Sequence, residues 1–136
     1  MNNKLVYIAG PYRAATPINV AENVCRATRL ARYAVEKGLL PIVPHLHGHA
    51  GVFGDPSGND PAIEERVMRW CSELARHIGE QGGAYWAIRQ DSGGLSNGTY
   101  VEYAAYVEGY GDSFAARAQM ATWSEWRKLM GEVDNG

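Results

Sequence analysis

Cysteine is scarce in this chain of 136 residues, and the two present, Cys25 and Cys71, both fall in segments whose apolar spacing predicts helices. They read as small core residues of a reducing compartment, which leaves neither a disulfide framework nor a thiolate metal site. Long apolar runs are missing too, and the start MNNKLVYIAG enters a strand-like run without the basic stretch and apolar core of a signal peptide. The expectation is an intracellular protein with no membrane partner. Blocks of like charge are absent: 13 basic and 15 acidic side chains are interspersed, for a net charge of −2, so no polynucleotide partner is expected. Neither G-x-G-x-x-G nor GK[ST] follows the first strand-like run, which removes the usual dinucleotide and triphosphate loops.

What is present is the pattern of one domain spanning residues 1–136, with 46% hydrophobic residues. KLVYIAG, residues 4–10, is a continuous apolar run ended by Gly10-Pro11, as suits a buried parallel strand. Asn19 and Glu22 form an N-x-x-E cap for a helix whose apolar residues run from Val20 to Val35 and stop at Gly38. LLPIVPHL, residues 39–46, is a second strand kept short or near an edge by Pro41 and Pro44. The glycine-rich stretch 47–60 reads as a lid. Asp60 and Pro61 then open a helix with Ile63, Val67, Trp70, Cys71, Leu74 and Ile78 on one stripe. AYWAIR, residues 84–89, is a third strand, and TYVEYAAYVEGY a third helix ending near Gly109 or Gly111. A last helix is expected from about Ser113 to Met130, its Trp123 and Trp126 covering a sheet or subunit face.

The order β-α-β-α-β-α-α indicates a small parallel α/β sheet with helices on its faces, and such sheets bind ligands at the carboxyl ends of their strands. Three loops converge there. In the first, Gly10, Pro11 and Arg13 place a guanidinium where it can meet a phosphate or carboxylate, with a solvated arginine as the bland alternative. In the second, His45, His47 and His49 alternate as some metal ligands do, but the surrounding glycines and the lack of a spaced acidic or cysteine partner favour ordinary loop histidines, and no metal is expected. In the third, Ser96, Gly98 and Thr99 lead into a helix start able to cradle an anion. Glu102 follows. As the third residue after Thr99 it fits a T-x-x-E capping box, and at the mouth of the sheet it fits a nucleophile or base.

Together, VYIAGPYR and S-x-G-T-x-x-E resemble the nucleoside 2-deoxyribosyltransferase superfamily, which includes nucleoside 5'-monophosphate N-glycosidases and many phage and bacterial members, over about residues 4–110. The resemblance implies a flavodoxin-like or Rossmann-like fold, a homodimer or larger assembly, a small-molecule nucleoside or nucleotide as substrate, and no cofactor. It implies Glu102 as nucleophile, Tyr7 as the tyrosine that orients it, and Arg13 and Ser96 near a 5'-phosphate. One family feature is missing: the aspartate that protonates the leaving base has no counterpart in AIEERVMRW, which offers Glu64 and Glu65. Glu65, the lid, or Asp91 at the end of the third strand is left to supply that proton, unless the chemistry is altered. The nucleophile is expected to keep a low pKa, held by hydroxyl or N–H donors. Two rivals stand beside this reading: a nucleotide-binding module without chemistry, and an interaction protein presenting Trp123 and Trp126.

Overall fold

β1 (Leu5–Ala9) alternates its side chains between two cores, Val6 and Ile8 to one face and Tyr7 and Ala9 to the other, so burial on both sides explains the unbroken apolar run. The computed structural model describes residues 4–12, 14, 16–46, 60–111 and 117–132. These form β1, α1 (Pro17–Glu36), β2 (Leu40–Ile42), α2 (Pro61–Glu80), β3 (Ala84–Arg89), α3 (Asn97–Tyr110), β4 (Ala118–Thr122) and α4 (Trp123–Leu129). The four strands pair in parallel in the order β2-β1-β3-β4. The fold is the expected α/β, Rossmann-like arrangement, with α1 and α4 against one face of the sheet and α2 and α3 against the other. The strand order reverses at β1, with β2 added on one side and β3 on the other, and the crevice outside the carboxyl ends of β1 and β3 is the switch point where such sheets place ligands.

Several boundaries differ from those expected. α1 is capped by Thr16, whose hydroxyl accepts from the Asn19 N–H, because Pro17 fits the first helical position and displaces Asn19 from the cap. Cys25 is exposed on the outer side of α1, not in the core; Cys71 is buried. β2 contracts to three residues at the sheet edge, where Pro41 is tolerated. The last expected helix is in fact a strand followed by a short helix. Ala118 and Met120 pack towards the α2/α3 core and Ala121 towards the other, a period of two, while Thr122 and Glu125 form the capping box that starts α4. Trp123 and Trp126 are buried within the protomer, the Trp126 indole donating to the Ala87 carbonyl at 2.8 Å. They therefore offer no surface to a partner, and the interaction-protein rival loses its basis.

α2 and α3 run side by side and touch through glycines. A Cβ added at Gly109 falls onto the Arg76 carbonyl, and one at Gly79 falls onto the Tyr106 carbonyl and lies 2.8 Å from the Tyr110 nitrogen. Backbone thus meets backbone, and nothing soft is available to yield. Gly109→Ala is expected to destabilise the protein by about 2–3 kcal/mol in urea unfolding. Gly94→Ala, where the nearest atom to a new Cβ is the Gln90 side chain at 3.8 Å, should change stability by less than about 0.5 kcal/mol.

Candidate functional site

The first wall of the site is the segment leaving β1. Gly10 passes hard against β3, since a Cβ there would lie 3.1 Å from Ile88 Cβ and 3.4 Å from the Ile88 carbonyl. Pro11 and Tyr12 follow, and both line a cavity of about 240 Å³ at the switch point. The wall is tied from two sides: Asn23 Nδ2 donates to the Tyr12 carbonyl at 3.2 Å, and His45 Nε2–H donates to the Pro11 carbonyl at 2.9 Å. His45 is itself buried, edge-on to Tyr12 with ring centroids 5.3 Å apart, and burial lowers its pKa against the opposing effect of the Pro11 bond. It holds the wall from behind and does not itself line the cavity, where a substrate-binding residue was expected. Arg13, His47, His49 and the expected lid lie outside the described residues.

The second wall is the start of α3. Ser96, not Thr99, is the N-cap: its hydroxyl accepts from the Thr99 N–H at 3.2 Å and lies 2.7 Å from the Thr99 hydroxyl. This moves Glu102 into the second turn, where a carboxylate has no free helix N–H to satisfy, and the capping-box explanation of Glu102 fails. Its side chain turns inward and is 7% exposed. Tyr7, fully buried on β1, donates its hydroxyl to Glu102 Oε2 at 2.5 Å. Tyr7 is in turn stacked on Tyr85, at 5.6 Å and 10° between ring planes, and the Tyr85 hydroxyl donates to the Thr99 carbonyl at 3.0 Å. Two strand tyrosines thus fix both the carboxylate and the helix start that carries it. Thr99, 1% exposed, locks this turn and does not reach the cavity, whereas Ser96, Gly98 and Glu102 do.

The third wall is α2, which contributes Glu64 from its first turn and Met68 from the next. Gly98 faces them. A Cβ at that position would sit 3.4 Å from Met68 Sδ and 3.8 Å from Glu102 Oε1, so the glycine leaves open the space in front of the carboxylate oxygen that Tyr7 does not occupy. Glu65 is elsewhere: it is exposed and pairs with Arg69 at 3.3 Å. Asp91 is also outside this cavity, 3.6 Å from Arg26 in a neighbouring one. The acid beside Glu102 is therefore Glu64. Its signal was in the helix period, since Glu64 precedes Val67, Cys71, Ala75 and Ile78 on the buried face while Glu65 turns to solvent. Tyr12 and Asn97, from two of the loops expected to converge, also line the cavity, as do Met68 and Gln90, which were not singled out in the sequence.

Electrostatics correct the expectation of a low nucleophile pKa. Burial raises the Glu102 pKa from its ordinary 4.5 to about 7; the Tyr7 hydrogen bond pulls it down, and the Glu64 charge pushes it up again. Tyr7 is driven well above its usual range, first by burial and then by the charge of Glu102, so it remains a proton donor to the carboxylate. Burial and Glu102 also push the Cys71 thiol up, which leaves it unreactive. Among the described residues no group of three His, Cys, Asp or Glu is placed to hold a metal ion, and no helix is long and apolar enough to cross a membrane.

A family model described as a domain of unknown function, DUF7768, matches residues 4–78, more than half of the chain. The match takes in the Gly10–Tyr12 wall and Glu64 and ends before α3. No curated protein and no solved structure matches the chain.

Proposed function

The chain belongs to the DUF7768 family, and we propose that the pocket around Glu102 cleaves or transfers at the N-glycosidic bond of a nucleoside or nucleoside 5'-monophosphate. The observation that carries this reading is a buried carboxylate, bound on one oxygen by Tyr7 at 2.5 Å and open on the other, with a second carboxyl group in the same cavity. Two carboxyl groups with separate tasks are what displacement at an anomeric carbon requires. The two carboxyl groups share one proton; in the state that leaves it on Glu64, Glu102 Oε1 attacks C1', the C1'–N bond breaks, and Glu64 delivers that proton to the departing base nitrogen. Water or a second base then attacks C1' of the glycosyl ester, Glu64 takes back a proton, and Glu102 leaves as a carboxylate.

Tyr7 supports the same assignment, because a hydroxyl fixed on Oε2 holds the carboxylate plane while Oε1 reacts. The resemblance of VYIAGPYR and S-x-G-T-x-x-E to nucleoside 2-deoxyribosyltransferases agrees with it. The homodimer or larger assembly implied by that resemblance finds support in α3, which leaves Tyr100 and Val101 exposed beside the pocket, while α4 turns its tryptophans inward. One observation favours the binding-module rival: burial makes Glu102 hold its proton more firmly than an ordinary carboxyl, which suits hydrogen bonding to a ligand as well as attack.

Chromatography of free base separates the readings. Wild-type protein incubated with nucleosides and their 5'-monophosphates is expected to release base, with acceptor-dependent exchange marking a transferase and release into water a hydrolase. Tight binding of the same compounds with no release from any of them would leave the binding module in its place.

A further inference from the structure

Tyr85 stands opposite Tyr7 in the parallel register of β1 and β3, and like Tyr7 it is fully buried on the α2/α3 face of the sheet. It does not line the cavity. Its contacts nevertheless close on Glu102 from two sides. The ring lies flat against Tyr7, whose hydroxyl holds Oε2, and the Tyr85 hydroxyl holds the carbonyl of Thr99, three residues before Glu102. Tyr103, the residue after Glu102, sets its ring 5.4 Å from that of Tyr85, and Tyr106 sets its own at 5.2 Å. One side chain of β3 therefore touches both the donor to the carboxylate and the helix on either side of the residue that carries it. Burial, and after it the Glu102 charge, drives Tyr85 well above its usual range, so its hydroxyl remains a donor.

We propose that Tyr85 is a positioning residue of the reaction: it fixes the first turns of α3 against Tyr7, and with them the line along which Glu102 Oε1 meets C1', without touching the substrate. The inference rests on the glycosidic reading of the pocket and adds to it a residue that acts through Tyr7 and Thr99. Two rings stacked at 10° in a close-packed core cannot slide past each other, so the direction of the Tyr7 hydroxyl follows Tyr85. The hydroxyl of Tyr85 ties the helix to that same ring, and a displacement of about 1 Å at a reacting atom is enough to cost about 10²-fold in rate. Tyr106 supplies the contrast. It is equally buried and stacked on Tyr85, but its hydroxyl donates to the Gly83 carbonyl at 2.8 Å, just before β3 begins and at the end of the strand away from the pocket.

Tyr85→Phe keeps the stack and gives up the bond to the helix. It is expected to lower kcat for base release roughly 10- to 100-fold with KM within about twofold of wild type, while Tyr106→Phe, which gives up a hydrogen bond of the same kind, leaves both within about twofold. The loss in the double variant Tyr7→Phe/Tyr85→Phe should fall well short of the product of the two single losses, because Tyr85 acts in part through Tyr7. A second readout needs no turnover. The Tyr7 hydroxyl proton, buried against a carboxylate, should give a downfield proton resonance that vanishes in Tyr7→Phe, moves in Tyr85→Phe and stays in place in Tyr106→Phe. An unmoved resonance in Tyr85→Phe, with kcat losses no greater than those of Tyr106→Phe, overturns the positioning role while base release still upholds the glycosidic reading. A resonance that answers to Tyr85 and not to Tyr106, with no base released from any compound, keeps the hold of Tyr85 on the carboxyl group and removes the glycosidic reading instead.

Discussion

Glu102→Gln is expected to lose base release by roughly 10⁴-fold or more and, at pH 8, to be the more stable protein. The two effects have one cause. The glutamine oxygen still accepts from Tyr7, so the turn of α3 keeps its anchor, but no charge remains to be buried or to attack C1'. The wild-type carboxyl binds its proton more tightly folded than unfolded, its pKa standing near 7 instead of 4.5. A carboxyl raised in this way favours the fold fully below pH 4.5, loses that contribution as pH rises from 4.5 to about 7, and gives no more above. The shift corresponds to about 3 kcal/mol. Urea unfolding of both proteins at pH 4.5 and pH 8 should therefore show the variant gaining on wild type by about that amount between the two pH values. Wild-type activity should rise over the same interval, as Glu102 becomes ionised. A stability difference independent of pH would mean that Glu102 is not the buried, proton-retaining group described here.

Glu64→Gln should cut base release by roughly 10²- to 10⁴-fold, the range for loss of a positioned general acid, while Glu65→Gln stays within about twofold of wild type. The adjacent residue is a demanding control, because the two glutamates share composition and local sequence and differ in which way the helix turns them. A nucleoside analogue whose leaving group departs without protonation should recover most of the lost rate in Glu64→Gln. Loss of the Glu64 charge should also lower the Glu102 pKa, moving the acid limb of the pH–rate profile to lower pH. Equal losses in Glu64→Gln and Glu65→Gln would mean that neither delivers the proton.

The readable parts of this fold were those where one face decides. β1 and β3 showed as apolar runs, α1 and α2 as 3.6-residue stripes, and Asp60-Pro61 marked the start of α2. β4 was not readable, because Ala118, Ala121, Trp123 and Trp126 also satisfy a helical spacing and the partner that makes AQMAT a strand is β3, far away in sequence. Caps were misplaced for a local reason. Thr16 wins because Pro17 fits the first helical position behind it, and Ser96 wins because its hydroxyl takes the Thr99 N–H, a choice among neighbouring candidates that pattern alone leaves open. The importance of Glu102 was visible, yet its environment was not: the Tyr7 bond joins residues 95 apart, and the raised pKa follows from burial that only the folded chain creates.

The glycine seam between α2 and α3 has a mechanical consequence. The same two helices that abut at Gly79 and Gly109 carry Glu64 in the first turn of α2 and Glu102 in the second turn of α3, so the depth of the seam bears on how far apart the two carboxyl groups stand. Glu64 lies about 20 Å along α2 from Gly79, at 1.5 Å per residue. A side chain added at the seam would press the helices apart, and the interval between two carboxyl groups is then set in part by backbone that touches neither of them.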